Sequence, residues 1–128
     1  MIRWGIIGPG SIARVFCNGL RFSQTGAAVA VASRDRQKAA QFADLFSIET
    51  VYSSYDALLA DSGVDAVYVA TIHPAHLEWV EKAAAAGKHI LVEKPMGMNT
   101  VQVEAMVEAA RSNDVFLMDA FMYRCHPQ

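Results

Sequence analysis

Residues 2–13 read Ile2-Arg3-Trp4-Gly5-Ile6-Ile7-Gly8-Pro9-Gly10-Ser11-Ile12-Ala13, a short apolar run that meets two glycines and passes at once into a new periodicity. Beyond the glycines, Ile12, Val15, Phe16, Gly19 and Leu20 fall at i, i+3, i+4, i+7 and i+8, one apolar stripe of an α-helix. The turn Gly8-Pro9-Gly10-Ser11-Ile12-Ala13 fits the pattern G-x-G-x-x-A. Between a strand and a helix such a turn has a physical task. The first glycine permits the tight bend, the second lets the backbone approach a pyrophosphate, and the small third residue packs the helix against the strand. The helix N-terminus adds unpaired N–H groups and the positive end of its dipole, which stabilise an anion without Lys or Arg. Gly8, Gly10, Ser11, Ile12 and Ala13 are therefore the first candidate binding residues. A tight strand-to-helix turn without a ligand is the plainer reading of the hexapeptide alone.

The same alternation runs on to the end of the chain. A second strand is expected over residues 27–32, then a helix striped by Ala39, Phe42, Ala43 and Phe46 with Asp35 as its N-cap. A short strand over 50–52 and a brief helix over 55–60 lead to the turn Asp61-Ser62-Gly63. A strand over 65–70, a helix from 74 or 75 to 86 closed by Gly87, and a strand over 89–92 follow. Asn99 opens the next helix with Gln102 three residues on, as in a capping box, and Val103, Met106, Val107 and Ala110 form its stripe. The last strand is expected over 115–118. Strands alternating with helices imply the α/β class, a doubly wound parallel sheet covered on both faces. Residues 1–120 are expected to form one dinucleotide-binding domain, and 121–128 the start of a connection to a C-terminal substrate domain absent from this sequence.

Composition narrows the class. With 128 residues, 53% hydrophobic and 19% charged, the chain lies far from the low-hydrophobicity, high-charge balance of disorder. A formal net charge of −2 gives no global electrostatic reason to bind nucleic acid or an anionic membrane, so any polyanion site must be local. Cys17 and Cys125 lie far apart with no C-x-x-C pair, which indicates neither zinc nor a disulfide framework; buried or inert thiols are expected. There is no signal-peptide pattern, and no apolar stretch reaches the roughly 18 residues of a membrane span. A cytoplasmic protein is expected, with no membrane and no nucleic-acid partner.

The identity of the dinucleotide turns on the end of the second strand, where an acidic residue about 20 positions on normally receives the ribose hydroxyls. Here the chain reads Ala32-Ser33-Arg34-Asp35. Ser33 can donate a hydrogen bond to a 2′-phosphate, and Arg34 can pair with it or stack on adenine. NADP is favoured over NAD, and Asp35 keeps the alternative open, as ribose acceptor or as helix cap. Arg36 is a second candidate partner for the phosphate. Ligands of an open parallel sheet bind outside the carboxyl ends of its strands. That edge collects Ala70-Thr71-Ile72-His73-Pro74-Ala75-His76, Glu93-Lys94-Pro95 and Asp119 onward. Lys94, just past a buried strand and held by a proline, can reach a carbonyl or hydroxyl oxygen.

Together these segments resemble the glucose-fructose oxidoreductase, inositol dehydrogenase and MocA family over essentially the whole chain. The resemblance rests on residues 5–13, on Ala70-Thr71 with His76, on Glu93-Lys94-Pro95 with Asn99, and on Phe121-Met122-Tyr123-Arg124-Cys125-His126-Pro127. The last run and Ser33-Arg34 look most like the branch of dimeric dihydrodiol dehydrogenases and NADP-linked xylose dehydrogenases. The resemblance implies an NADP-dependent oxidoreductase acting on the hydroxyl carbon of a sugar, cyclitol or dihydrodiol, a homodimer or larger once a second domain is present. It implies that Lys94 lies beside nicotinamide and substrate as the catalytic residue, preceded by Glu93 at the same edge, and that the Lys94-Pro95 peptide is cis. Thr71, His73, His76 and Arg124 join the cofactor-binding set on the same ground. His73 replaces a frequent asparagine and Asp119 a frequent glutamate. For His76 the reading that it only satisfies backbone groups stays open. Tyr123, Arg124 and His126 are expected at the mouth of the cofactor cleft. A stand-alone, catalytically inactive nucleotide-binding module is the alternative reading of the whole.

Overall fold

In the computed structural model, which describes residues 1–127, each apolar run pairs with its neighbour in parallel. The strands are β1 (Ile2–Ile7), β2 (Gly26–Ala32), β3 (Thr50–Tyr52), β4 (Ala66–Val69), β5 (His89–Val92) and β6 (Leu117–Asp119), in the spatial order β3-β2-β1-β4-β5-β6. The helices are α1 (Ser11–Leu20), α2 (Arg36–Phe46), α3 (Tyr55–Leu59), α4 (His76–Ala85) and α5 (Thr100–Ser112), with 3₁₀ turns at His73–Ala75 and Met122–Cys125. The expected doubly wound α/β sheet is present. Strand order reverses between β1 and β4, so the crevice a ligand would use opens at the carboxyl ends of those two strands.

Alternation along each strand divides the core into two layers. Ile7, Val67, Val69, Ile90 and Val92 face α3, α4 and α5, where Leu58, Val80, Ala83, Ala84 and Met106 complete a closed core. Ile6, Val31 and Tyr68 face the other way, against Ala13 and Cys17 of α1 and Phe42 and Ala43 of α2. This second layer is only half covered. Beside α1, a hollow of about 350 Å³ is lined by Val15, Phe16, Leu91, Met118 and Met122, and a second one lies over Trp4, Leu91, Phe116 and Met118. Phe116 is 63% exposed.

That bare face changes the reading of α1. The buried pair is Ala13 and Cys17, at i and i+4, whereas Val15 and Gly19 are exposed and Ile12, Phe16 and Leu20 are half-buried. The helix turns its small residues to the sheet, where the close approach needs them, and presents its larger stripe to the hollow. In α5, Met106 and Ala110 are buried but Val107 is not. The side chain of Gln102 accepts from Met98 N–H at 2.9 Å, one residue before the Asn99 cap, and Asn99 Oδ1 accepts from Gln102 N–H at 3.0 Å. The last strand starts two residues later than expected because Phe116 N–H donates to His89 Nδ1 at 3.0 Å. Cys17 is buried and Cys125 exposed, and both are free; burial pushes the Cys17 thiol up to about 12.

Candidate functional site at the carboxyl edge

Gly8 sits at φ +91°, a conformation open to glycine, and a Cβ there would lie 2.9 Å from Ala70 O. The tight bend is thereby pressed against the end of β4. Gly10 is different: a Cβ built on it meets nothing within 4 Å. It caps α1 without a side chain, so no side-chain hydrogen bond from the cap covers the N–H groups of the helix's first turn. Ala13 is fully buried, as the packing residue of the motif must be, while Ser11 is exposed and Ile12 half-buried.

A cleft of about 530 Å³ runs from Gly8, Pro9 and Gly10 to Ser33, Arg34 and Lys38, with Thr71, Ile72 and Trp79 among its other walls. Ser33 is nearly buried and its Oγ accepts from Asp35 N–H at 3.1 Å, leaving the hydroxyl hydrogen to donate. Asp35 Oδ1 accepts from Gln37 N–H at 3.0 Å and Lys38 N–H at 3.2 Å, so this carboxylate caps α2. Arg34 makes no hydrogen bond or ion pair among the described residues. Lys38, three residues past the cap, lines the same cleft. Sequence reasoning passed over it in favour of Arg36, which does not line it; helical phase, counted from Asp35, was the available signal.

A second, smaller cleft of about 220 Å³ is lined by Ile12, Thr71, His73, Glu93 and Lys94. Thr71 borders both clefts, and its Oγ1 is buried without a partner, an orphaned polar atom at their junction. Lys94 is exposed, and the Lys94-Pro95 peptide is cis. Glu93 is buried beneath it: Oε1 accepts from the Tyr68 hydroxyl and Oε2 from Lys94 N–H at 3.2 Å. Burial first, and then the hydrogen bond to Glu93, raise the Tyr68 phenol above its ordinary value. Asp119, at the end of β6, has a buried Oδ1 without a partner. Burial and then the Glu93 charge hold its carboxyl above the usual range, while His76 and Arg124 pull it back.

The remaining candidates fall elsewhere. His76 is fully buried and lines neither cleft; its ring nitrogens lie against the backbone carbonyls of Thr71, Pro95 and Met96. Arg124 lines neither cleft; its 3₁₀ turn borders the hollow beside α1 through Met122 and Cys125. Among the described residues no cluster of His, Cys, Asp and Glu could hold a metal ion, and no helix is long and apolar enough to cross a membrane.

A parallel sheet in this order, with a glycine turn at its switch point and two clefts along its carboxyl edge, defines a Rossmann-type dinucleotide-binding domain. The chain belongs to the Gfo/Idh/MocA family, described as "Oxidoreductase family, NAD-binding Rossmann fold", whose profile matches residues 2–121. It is 45% identical over 128 residues to the trans-1,2-dihydrobenzene-1,2-diol dehydrogenase of Mus musculus, and 41% identical over 127 residues to that of Xenopus laevis. It spans only 38% of the length of either relative, against 98% of its own. A 3-ketoreductase from Actinomadura kijaniata, solved with NADP and TDP-benzene, superposes with a TM-score of 0.94 at 39% identity, covering 99% of this chain and 39% of that one.

Proposed function

We propose that this chain is the NADP-binding domain of a dehydrogenase acting on the hydroxyl carbon of a sugar, cyclitol or dihydrodiol. The observation that carries the reading is the end of β2. Ser33, Arg34 and Lys38 line one cleft with the glycine turn, while the carboxylate that could have received ribose hydroxyls is taken by the α2 cap. Two cations and a hydroxyl suit a 2′-phosphate, which an acidic residue at this place would repel. The open space at Gly10 and the uncapped α1 N-terminus suit the pyrophosphate, and the orphaned Thr71 Oγ1 offers a polar contact toward the nicotinamide end, with Ile12, His73 and Glu93 around it. The relatives' names, and the NADP of the Actinomadura enzyme, support the same class.

When bound, the nicotinamide supplies the hydride acceptor or donor. Lys94 donates a hydrogen bond to the oxygen of the reacting carbon, and Glu93 holds the Lys94 backbone from below. The substrate wall, its contacts and any oligomer belong to the whole protein. The test is calorimetric titration with NADPH and NADH. Losing charge-assisted contacts worth about 1.5–3 kcal/mol predicts roughly 10- to 100-fold weaker NADH binding. Arg34→Ala and Lys38→Ala should narrow that gap by weakening NADPH alone. Equal affinity for both dinucleotides overturns the assignment. NADPH binding without turnover over a panel of dihydrodiols and sugars, in a protein that also carries the segments its relatives possess, favours the inactive-module alternative.

A further inference from the structure

His76 is the one fully buried histidine among the described residues, and its surroundings are unusual in kind. Nδ1 lies 3.0 Å from Pro95 O and 3.2 Å from Met96 O; Nε2 lies 3.0 Å from Thr71 O. All three neighbours are carbonyl oxygens, which only accept. A neutral imidazole has a single N–H, so whichever tautomer it adopted, its other nitrogen would turn a lone pair toward a carbonyl oxygen at 3.0 Å with no exposed surface for water to intervene. Only a ring with hydrogen on both nitrogens satisfies every contact.

We propose that His76 is a buried, doubly protonated imidazole that clamps the loop after β5 to the end of β4, and thereby acts as a positioning residue for Lys94. The two ring edges join Thr71, which borders the smaller cleft, on one side to Pro95 and Met96 on the other. A buried cation needs a counter-charge. We assign that role to Asp119 on β6, whose Oδ1 is buried and unpartnered and whose carboxyl senses the charges of Glu93, His76 and Arg124. The other titratable group against the ring is His73, centroid to centroid 5.7 Å. Removal of the second hydrogen would leave one anchor, at Thr71 or at Pro95 and Met96, as a repulsive pair, and the ring would no longer join the loop carrying Lys94 to the end of β4. The protonation state stands without the cofactor; its consequence for hydride transfer rests on the role proposed for Lys94.

The wild-type chain, labelled with ¹⁵N, provides the test. Long-range ¹H–¹⁵N correlation at neutral pH should place both His76 ring nitrogens in the protonated class, each coupled to a slowly exchanging hydrogen. At the same pH, His76→Gln, which keeps a polar side chain but no cation, should shift the backbone amides of Lys94, Met96 and Gly97, and in Asp119→Asn one ring nitrogen should pass to the unprotonated class. One nitrogen in the unprotonated class in the wild-type chain overturns the cation. Amides of Lys94, Met96 and Gly97 that stay unchanged in His76→Gln overturn the clamp, and two protonated ring nitrogens in Asp119→Asn overturn the counter-charge. NADPH titration of the same sample reads the proposed function separately, since failure to bind leaves the ring nitrogens' state unaffected.

Discussion

The two glycines of the turn should respond oppositely to the same methyl group. At Gly8 an alanine meets both a φ of +91° and a backbone carbonyl oxygen 2.9 Å from its Cβ. The positive φ alone costs about 1–2 kcal/mol for an L residue. The contact adds to this, because Ala70 O belongs to the end of a central strand and cannot swing aside as a side chain would. A total loss of at least ~2 kcal/mol is expected, and at ~3–6 °C per kcal/mol for a domain of this size the melting temperature should fall by roughly 6–12 °C. Gly10→Ala meets empty space, so the unliganded domain should lose less than about 1 kcal/mol, the difference between Gly and Ala as helix caps. Its methyl would stand where the backbone must approach a pyrophosphate, so NADPH binding should weaken by ~10-fold or more. Differential scanning calorimetry without ligand, followed by titration with NADPH, checks both halves. A Gly10→Ala variant that binds NADPH like the wild type refutes the placement of the pyrophosphate; a Gly8→Ala variant that melts like the wild type refutes the geometry of the turn.

Lys88 is nearly buried, and its ammonium donates to the backbone carbonyls of Asp61 at 2.6 Å and Val64 at 2.8 Å; Lys88→Met should strand both acceptors and cost about 2–3 kcal/mol in urea unfolding. Arg3 holds the Asp65 carboxyl well below its ordinary range through an ion pair at 2.6 Å. A depressed folded value stabilises above the unfolded value near pH 4 and is lost as pH falls through the folded one. Asp65→Asn should therefore lower the melting temperature slightly at pH 7, and the two melting curves should converge in strong acid; because the pair is exposed, salt should shrink the difference. The apolar face bearing Phe116 and Met122 should drive self-association at high concentration, and a Phe116→Ser, Met122→Ser double variant should reduce it in sedimentation velocity.

Most of the architecture was legible in the sequence because local chemistry and tertiary context agree. Gly87 reads as a helix terminator and adopts φ +71°; Asp35 and Asn99 cap helices by the hydrogen bonds their side chains suit. The misreading of α1 has one cause. Hydrophobic periodicity reports which residues avoid water, not which ones find a partner, and the stripe on α1 points into a hollow where the sheet has no helix over it. At the site, Ser33 and Arg34 were visible from their distance to the glycine turn. Lys38 was legible too, from its helical phase relative to the Asp35 cap, whereas the burial of His76 was hidden by its position: a histidine opening a helix a residue or two after a proline has the same local sequence whether it faces a ligand or a set of carbonyls. No local pattern tells which carbonyls a ring will meet when they come from a loop 19 residues away.

The uneven covering of the sheet also sets a hierarchy of opening. β6 has three residues, pairs with β5 alone and has half-buried side chains throughout, whereas β1 and β4 are flanked on both edges and packed against a closed core. Native-state hydrogen exchange should find the amides of β6 and the following turn released by small fluctuations, and those of β1 and β4 only near global unfolding. Asp119 rides on one of the two short edge strands. The Asp119 carboxyl is thus attached to an exposed edge of the sheet beside the end of β5, and any element that comes to lie over that edge would slow its exchange and steady the carboxyl together.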